Sequence, residues 1–368
     1  MIIKTLYLEN FRNYIKEELS FSNSINFFIG KNAAGKTNLI EAIGYFVLFR
    51  SFRGVPDNEL IHSNAYYFYL KLLLEKKEED HIYEVGVEKV NQSLRKKVKK
   101  NGKKVNKISD LISDIIGVFF VPDDLEYVNS ISKRRSFFDY LFSLIDIEYL
   151  NTLIEYQKCL KQRNELLKRI LEKKSSVNEL DFWDNKLIKH SIKIMEKRQI
   201  YIDKFKNYFY KRVKEISNEN DELFIFLEQN DINSFEKEFL NNRYKDIYAG
   251  TTTKGIHRDK FLLIDNKHKD ITLSFSQGQR RTVALSLKLA QYDILVEKFQ
   301  IKPILFIDDV IRELDQHRRK YFLDLLVDCG QAFFTTPNFE DDMKMFKELK
   351  GNQCKIFEIE SGKIKNEF

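Results

Sequence analysis

Hydrophobic and polar residues follow three successive patterns along the chain. From residue 1 to about residue 121, short apolar runs alternate with turns, which is typical of strands. These runs are Ile2–Leu8, Ile25–Ile29, Tyr66–Leu74, Ile82–Val87 and Val118–Val121. The apolar-rich segment Leu39–Phe49 predicts a helix among them. The first third is therefore predicted to be mixed α/β, with antiparallel strands over residues 66–105.

Helical spacing replaces this pattern from Asp123 to about Tyr244. Apolar residues recur at steps of three and four, which predicts one helix around residues 150–167 and a second from Leu180 to Ile216. After residue 245, strand and helix signals alternate again. The pattern predicts an α/β head made from residues 1–121 and 245–368, with a mainly helical lobe, residues 122–244, inserted between its two parts.

Composition sets limits on the class of protein. With 368 residues and 43% apolar content, the chain is long enough for a substantial core and is not disordered. Cys159, Cys329 and Cys354 have no metal-ligand spacing and are typical of reduced thiols. No apolar stretch has the length of a membrane span, and the first residues predict a strand instead of a signal peptide. We therefore expect a soluble, cytoplasmic protein without a membrane partner.

A glycine-containing turn joins the predicted strand Ile25–Ile29 to the predicted helix. It reads Gly30, Lys31, Asn32, Ala33, Ala34, Gly35, Lys36, Thr37. A turn of this kind in a strand-to-helix context is a phosphate-binding loop: backbone N–H groups and the helix dipole bind phosphates, Lys36 adds a charge, and the Thr37 hydroxyl can ligate Mg²⁺. A chance match is the alternative, and the strand-to-helix context argues against it.

Two acids follow a second apolar run, Pro303–Ile307, near the end of the chain. Such a run predicts a strand buried in a parallel sheet, and ligands bind at the carboxyl ends of these strands. Asp308 is then the expected Mg²⁺ ligand, and Asp309 the residue that orients or deprotonates an attacking water. Solvated acids at a strand end are the alternative, which the phosphate-binding loop makes less favourable.

A third segment, Ser274 to Arg281, precedes a helix predicted from Thr282 to about Lys298. Ser276 is a good N-cap, and Gly278 allows close approach of another surface. The order of loop, long insertion, Ser-Gln-Gly-Gln, apolar strand with two acids, and Glu313-Leu314-Asp315 resembles the ABC-type ATPase heads. In those heads the serine-bearing helix of one subunit contacts the γ-phosphate held by the other, so the resemblance implies ATP as cofactor and an ATP-dependent homodimer.

Within that class, the chain resembles the RecF family of bacterial recombination mediators over nearly its whole length. The matching segments, besides those above, are residues 10–14, 38–42, 50–54, 121–125, 134–135, 162–164 and 255–259. The resemblance implies an ATP-dependent DNA-binding protein of recombinational repair and replication, acting at gaps in the SOS response. It also implies RecR, with RecO, as partners in loading RecA, and a slow, DNA-stimulated ATPase that works as a switch.

Several residue roles follow from the resemblance alone. Arg12 is expected to touch the nucleotide phosphate; Ser276, Gly278 and Asp315 are expected at the nucleotide of the dimer. Arg50 and Arg53 are expected to reach towards DNA, with surface ion pairing as the alternative. Ala33 departs from the family pattern: alanine tolerates positive φ less well than glycine, which predicts weaker nucleotide binding.

A basic segment provides a second candidate DNA surface. Nine Lys or Arg residues and no acid lie between Lys89 and Lys107, around an Asn101-Gly102 turn that predicts a hairpin. The candidate DNA contacts there are Lys96, Lys97, Lys99, Lys100, Lys103 and Lys104. The alternative is an edge hairpin that lysines protect from aggregation. Lys133, Arg134 and Arg135 are predicted at a helix start, where they could bind an external phosphate; solvation of the three side chains is the commoner alternative.

Two other functions share the phosphate-binding loop. An ABC transporter ATPase subunit would carry a Leu-Ser-Gly-Gly-Gln segment and a switch histidine, whereas Thr335 and Thr336 stand at the latter position. A P-loop kinase would leave the Ser276 helix and Asp315 without a role. A transporter ATPase would not respond to DNA, and a kinase would need an acceptor other than water.

Overall fold

The computed structural model describes residues 1–91, 93–217, 222–266, 270, 275–310, 314–336 and 354–368. The strands are β1 (Ile2–Phe11), β2 (Tyr14–Ser20), β3 (Ile25–Ile29), β4 (Tyr67–Lys76), β5 (Glu79–Val90), β6 (Ser93–Lys100), β7 (Lys103–Lys104), β8 (Gly117–Phe120), β9 (Phe224–Glu228), β10 (Lys260–Ile264), β11 (Ile304–Asp308), β12 (Ala332–Thr336), β13 (Cys354–Glu360) and β14 (Lys363–Glu367). The α-helices are α1 (Lys36–Leu48), α2 (Asp57–Leu60), α3 (Leu125–Asn129), α4 (Ile131–Ile145), α5 (Ile147–Leu171), α6 (Leu180–Ser217), α7 (Phe235–Asn241), α8 (Arg243–Ala249), α9 (Gln277–Phe299) and α10 (Gln316–Val327).

The chain divides into two compact units: Met1–Asp124 with Tyr292–Phe368, and Leu125–Gln291. The first boundary falls three residues after the predicted 121/122. The second falls at 291/292 instead of 244/245, because β10 pairs antiparallel with β9 of the helical region. Residues 245–291 therefore belong with the helical unit.

The first unit contains a six-stranded sheet in the order β14-β13-β3-β12-β11-β8. Its strands are parallel from β13 to β8, and β14 adds an antiparallel edge. The predicted buried runs before Gly30 and before Asp308 are β3 and β11, and β12 pairs with both. Since parallel strands end at one edge of a sheet, the segments after β3 and β11 open at the same edge.

A second, antiparallel sheet of the first unit has the order β2-β1-β4-β5-β6-β7. Its inner residues alternate with outer ones, as at Leu70, Leu72 and Leu74, which are fully buried. These inner residues and α1 share one hydrophobic core with aromatic residues of the parallel sheet. Among them Phe306 stacks on Phe119 at 4.7 Å and on Phe333 at 5.6 Å between ring centroids.

The second unit is built on the two long helices α5 and α6, as the spacing predicted. The break between them carries a capping box in which Ser176 and Glu179 satisfy each other's backbone N–H groups. Polar contacts tie the helices together: Arg163 of α5 donates to Asp184 of α6 at 2.6 Å and to Asp246 at 2.7 Å. In neither unit does a helix over the described residues have the length and apolarity needed to cross a membrane.

Candidate functional site

The loop after β3 turns through backbone conformations that favour glycine. Gly30 has φ 151° and Gly35 has φ 120°, and a Cβ built at Gly30 would lie 2.3 Å from the Ile359 carbonyl oxygen. Ala33 has φ 64°, the positive value expected to be costly for alanine. The loop is also fixed from outside, since Asn13 Nδ2 donates to the Ala34 oxygen at 3.2 Å and the Gly362 N–H donates to the same oxygen at 2.9 Å.

Lys36 places a buried positive charge inside this loop. The residue is 5% exposed, and its Nζ donates to the carbonyl oxygens of Gly30 at 2.8 Å and Lys31 at 3.1 Å. Helix α1 begins at Lys36 with no acidic residue in its first turn and no side-chain cap at Gly35. A helix start of this kind, next to a lysine, has the charge and the donors that bind an anion.

Asp308 lies where the carboxyl end of β11 meets the loop. Its Oδ1 accepts from the Thr37 hydroxyl at 2.9 Å and from the Thr335 hydroxyl at 2.8 Å. Burial raises the pKa of Asp308, and these two hydrogen bonds and Arg53 act in the opposite direction, while neighbouring Asp309 adds to the rise. A buried carboxylate beside a threonine hydroxyl is a donor set of oxygen atoms, the kind that Mg²⁺ prefers.

The backbone of Asp309 is strained, and one oxygen of its carboxylate lacks a hydrogen-bond partner among the described residues. Asp309 has φ 51°, and its backbone N–H donates to the Thr335 hydroxyl oxygen at 3.1 Å. Its Oδ1 is buried and has no hydrogen-bond partner among the described residues. A free carboxylate oxygen of this kind can accept from a bound water, and Thr335, which contacts both acids, fixes their relative position.

Glu41 connects two of the predicted arginines. This residue of α1 is fully buried, and it accepts from Arg12 Nε at 2.8 Å, from Arg12 Nη2 at 3.0 Å and from the Ser51 hydroxyl. Arg53 Nη1 lies 3.8 Å from the same carboxylate. The guanidinium of Arg12 is thus held from α1, while Arg50 is exposed.

Ser276 and Asp315 both cap helices. Ser276 Oγ accepts from the Gln279 N–H at 3.2 Å, and Gln279 Oε1 accepts from the Ser276 N–H at 3.1 Å, so the predicted N-cap of α9 is confirmed. Gly278 lies in the first turn of α9, within the second unit. Asp315 accepts from the Arg318 N–H at 2.9 Å, and this bond lowers the pKa of Asp315. Ser274 and Glu313 lie outside the described residues.

The basic hairpin is confirmed, and its lysines divide between two faces. Asn101 and Gly102 have φ 50° and 74°, as a two-residue turn of this type requires. Lys96 pairs with Asp57 at 3.1 Å and Lys100 with Asp114 at 2.6 Å, so these two ammonium groups are already neutralised within the unit. The other candidate lysines are exposed: Lys97, Lys99, Lys103 and Lys104.

Both predictions for Arg134, phosphate binding and solvation, are wrong. Arg134 is fully buried and donates to the backbone oxygens of Tyr127, Val128 and Phe261. Its half-buried neighbour Arg135 donates to the Asp259 oxygen at 3.0 Å. These contacts stabilise the start of α4, so Arg134 is not available to an external phosphate.

The segment His257-Arg258-Asp259 is held by buried polar contacts within the second unit. Asp259 is buried and pairs with Arg198 at 2.6 Å, not with Arg258. His257 Nδ1 lies 2.6 Å from the Tyr156 hydroxyl, and burial lowers the pKa of His257 to about 4.

The pattern of the sequence did not identify Asn13, Glu41 or Gly362 as parts of the site. Asn13 and Glu41 stand in segments that carried the family resemblance, which was the one available signal. Gly362 lies in the turn between β13 and β14, and no signal in the sequence pointed to it. Its contact with Ala34 depends on how the last strands pair with β3.

Comparisons with known proteins agree with this geometry. The family model described as the RecF/RecN/SMC N terminal domain matches residues 2–352. The chain is 35% identical over 371 residues to the DNA replication and repair protein RecF of Leptospira biflexa, covering 99% of each sequence. It resembles a solved structure of the recombination mediator protein RecF-ATP in the RecFOR pathway, with a TM-score of 0.88, 34% identity and coverage of 100% of this chain and 97% of the other. An SMC head bound to part of ScpA shares the fold alone, with a TM-score of 0.57, 16% identity and coverage of 100% and 98%.

Proposed function

This chain belongs to the RecF family of DNA replication and repair proteins, and from that premise we propose that it is an ATP-switched DNA-binding protein. ATP binding would close two copies head to head on DNA, and slow hydrolysis would release it. The main observation in support of the proposal is a hydrogen bond of 2.9 Å at the junction of Thr37 with Asp308, from the Thr37 hydroxyl to Asp308 Oδ1. The two residues are 271 positions apart in the chain.

ATP and Mg²⁺ fit the residues at this junction. The left-handed turns at Gly30 and Gly35 direct the loop around Lys36, whose buried ammonium group would face the outer phosphates. Thr37 and Asp308 would hold Mg²⁺, directly or through water. The ion would supply charge neutralisation for the phosphate oxygens. The raised pKa of Asp308 supports this assignment, because a cation beside the carboxylate would offset the cost of burying its charge.

Asp309 would hold and orient the attacking water through its unpartnered Oδ1. An aspartate reaches less far than a glutamate, which is consistent with slow turnover of the kind that suits a timer. Thr335 would keep Asp309 in place through the backbone N–H.

The dimer would complete each nucleotide site. Ser276 is exposed at the start of α9, and Asp315 is exposed at the start of α10. Both side chains, with the backbone at Gly278, would meet the nucleotide of the partner copy, as in ABC-type heads. Their capping bonds support the proposal because they fix the direction in which each helix start presents its N–H groups.

For DNA, we propose Arg50, Arg53 and the exposed lysines of the hairpin. Lys96 and Lys100 are left out, because breaking their ion pairs with Asp57 and Asp114 would oppose binding. We further propose that the protein acts in the cytoplasm with RecR and RecO, and that it helps to load RecA at gaps.

The testing experiment measures binding to a labelled duplex that bears a single-stranded gap, with ATP, with ADP and without nucleotide, at near-physiological salt. We expect tight binding only with ATP, and Lys36→Ala should lose ATP binding and DNA binding together. ATP binding without any DNA binding would contradict the proposal and favour a transporter-type ATPase. Phosphate transfer to a small acceptor would favour a kinase.

A further inference from the structure

The outer face of the antiparallel sheet carries a slot that the nucleotide site does not use. The slot has a volume of about 320 Å³, and its lining includes Tyr67, Tyr69, Gly86, Arg95 and Lys97. We propose that it binds a nucleotide unit of single-stranded DNA, with the base against the tyrosines and the phosphate on Arg95 and Lys97. This inference rests on the proposed function, because it assigns part of the DNA surface.

Strand register sets these side chains side by side. Tyr69 pairs with Gly86, and Gly86 pairs with Lys97, so one row across β4, β5 and β6 reads tyrosine, glycine, lysine. The next row reads Tyr67, Glu88, Arg95. Directly opposed side chains on a sheet lie about 5 Å apart, so the row through Gly86 has an opening between an aromatic ring and a cation.

Glycine at position 86 leaves this opening unfilled, although neither the backbone conformation nor the available space requires a glycine there. Its φ lies outside the left-handed region, and a Cβ built there would come no closer than 3.9 Å to any atom, at Tyr69 Cδ2. A side chain would therefore fit both the backbone and the available space. Glycine within a strand weakens the strand and often marks a place where a ligand approaches the backbone closely.

Hydrogen bonds fix the two tyrosine rings of the slot, while its two cations, Arg95 and Lys97, form no ion pair within the described part of the chain. This combination suits a ligand that stacks on a ring and carries negative charge. The Tyr67 hydroxyl donates to Glu9, and the Tyr69 hydroxyl donates to Glu84 at 2.5 Å, so both rings are anchored at one end. Arg95 and Lys97 are exposed and form no ion pair within the described part of the chain. Rings beside a strip of free cations form a stacking platform for single strands.

The acids at the slot limit what the ligand can be. Glu9 and Glu88 also line it, and hydrogen bonds from the Tyr67 and Tyr7 hydroxyls lower the pKa of Glu9, which keeps it charged. A free phosphate would be repelled by these carboxylates. A nucleotide of a strand places its phosphate towards Arg95 and Lys97, and its base carries N–H groups, such as N3–H of thymine, that can donate to the carboxylates.

The test uses a short fluorescein-labelled oligothymidylate and the full-length protein at about 0.15 M salt. Gly86→Val fills the opening with a residue that strands favour, and we expect about tenfold weaker single-strand binding. ATP binding and ATP-dependent binding to intact duplex should stay at wild-type values, which also shows that the variant is folded.

A charge-matched pair of double variants separates the slot from general attraction. Arg95→Gln with Lys97→Gln should weaken oligothymidylate binding by about tenfold, whereas Lys237→Gln with Lys245→Gln, two exposed lysines with no proposed role in DNA binding, should have a much smaller effect. Equal losses in the two double variants, or wild-type affinity in Gly86→Val, would overturn the slot. Duplex binding without any single-strand binding by the wild type would overturn the slot and leave the proposed function intact. No DNA binding of either kind would overturn both.

Discussion

Replacing Glu41 by glutamine tests whether a buried charge holds the arginines beside the nucleotide site. The wild-type carboxylate is fully buried, and three hydrogen bonds from Arg12 and Ser51 end on it. Glutamine has nearly the same volume, but it is neutral and offers one acceptor oxygen. The substitution therefore removes the counter-charge of Arg12 and puts an N–H₂ group against a guanidinium.

The size of the loss follows from this geometry. Removing one partner of a buried ion pair costs about 3–5 kcal/mol, because the other charge stays desolvated. The Arg12 side chain is 17% exposed, so water compensates part of that cost. The glutamine also retains one hydrogen bond to Arg12 or Ser51. We expect the free energy of unfolding to fall by about 2–3 kcal/mol.

The assay is urea unfolding followed by far-ultraviolet circular dichroism and by tryptophan emission, with linear extrapolation to water. Trp183 is the only tryptophan of the chain and lies in the second unit, so its emission follows that unit. Asp328→Asn is the matched control, because Asp328 pairs with Lys302 at 2.8 Å in the same unit and its side chain is 92% exposed. That variant should lose about 1 kcal/mol or less. A Glu41→Gln value within about 0.5 kcal/mol of the wild type would refute the reasoning, since losses that small are typical of surface positions.

Three other predictions concern separate sites. Ser276→Arg should bind ATP with wild-type affinity yet stay monomeric in light scattering, and normal dimerisation would remove Ser276 from the interface. Asp309→Asn should bind ATP and hydrolyse it at least about tenfold more slowly, with a longer-lived dimer; unchanged turnover would mean that another group orients the water. His257 has a pKa of about 4 in the folded protein, against 6.5 ordinarily, so protons favour the unfolded chain as the pH falls from 6.5 to 4. The wild type should lose up to about 3 kcal/mol over that window, and His257→Gln should lose less; equal losses in urea titrations would contradict the burial of a neutral imidazole.

Local chemistry made the elements around the candidate nucleotide site predictable. The strand before Gly30, the helix from Lys36, the strand before Asp308 and the cap at Ser276 each follow from residues next to one another in the sequence. The contact of Thr37 with Asp308 then follows from a general property of parallel sheets, that their strands end at one edge.

Burial of charged residues was not predictable in the same way. Arg134 donates to the carbonyl oxygen of Phe261, and Arg163 donates to Asp246. Each of these partners is distant along the chain. Alternation along β6 assigns Lys96 and Lys97 to opposite faces of the sheet. Nothing in the sequence, however, indicates that Lys96 forms an ion pair with Asp57.

The neighbours of β3 have a consequence for how the protein is made. Strand β3 is synthesised early, but it lies between β12 and β13, which begin at Ala332 and Cys354, and its loop receives a hydrogen bond from Gly362. The helical unit, in contrast, is complete before either of those strands leaves the ribosome. We infer that the second unit folds first during translation, and that the phosphate-binding loop takes its final form only after nearly all of the chain has emerged. A chain that ended before these strands would therefore leave the phosphate-binding loop without its final geometry, and we expect such an incomplete copy not to bind ATP.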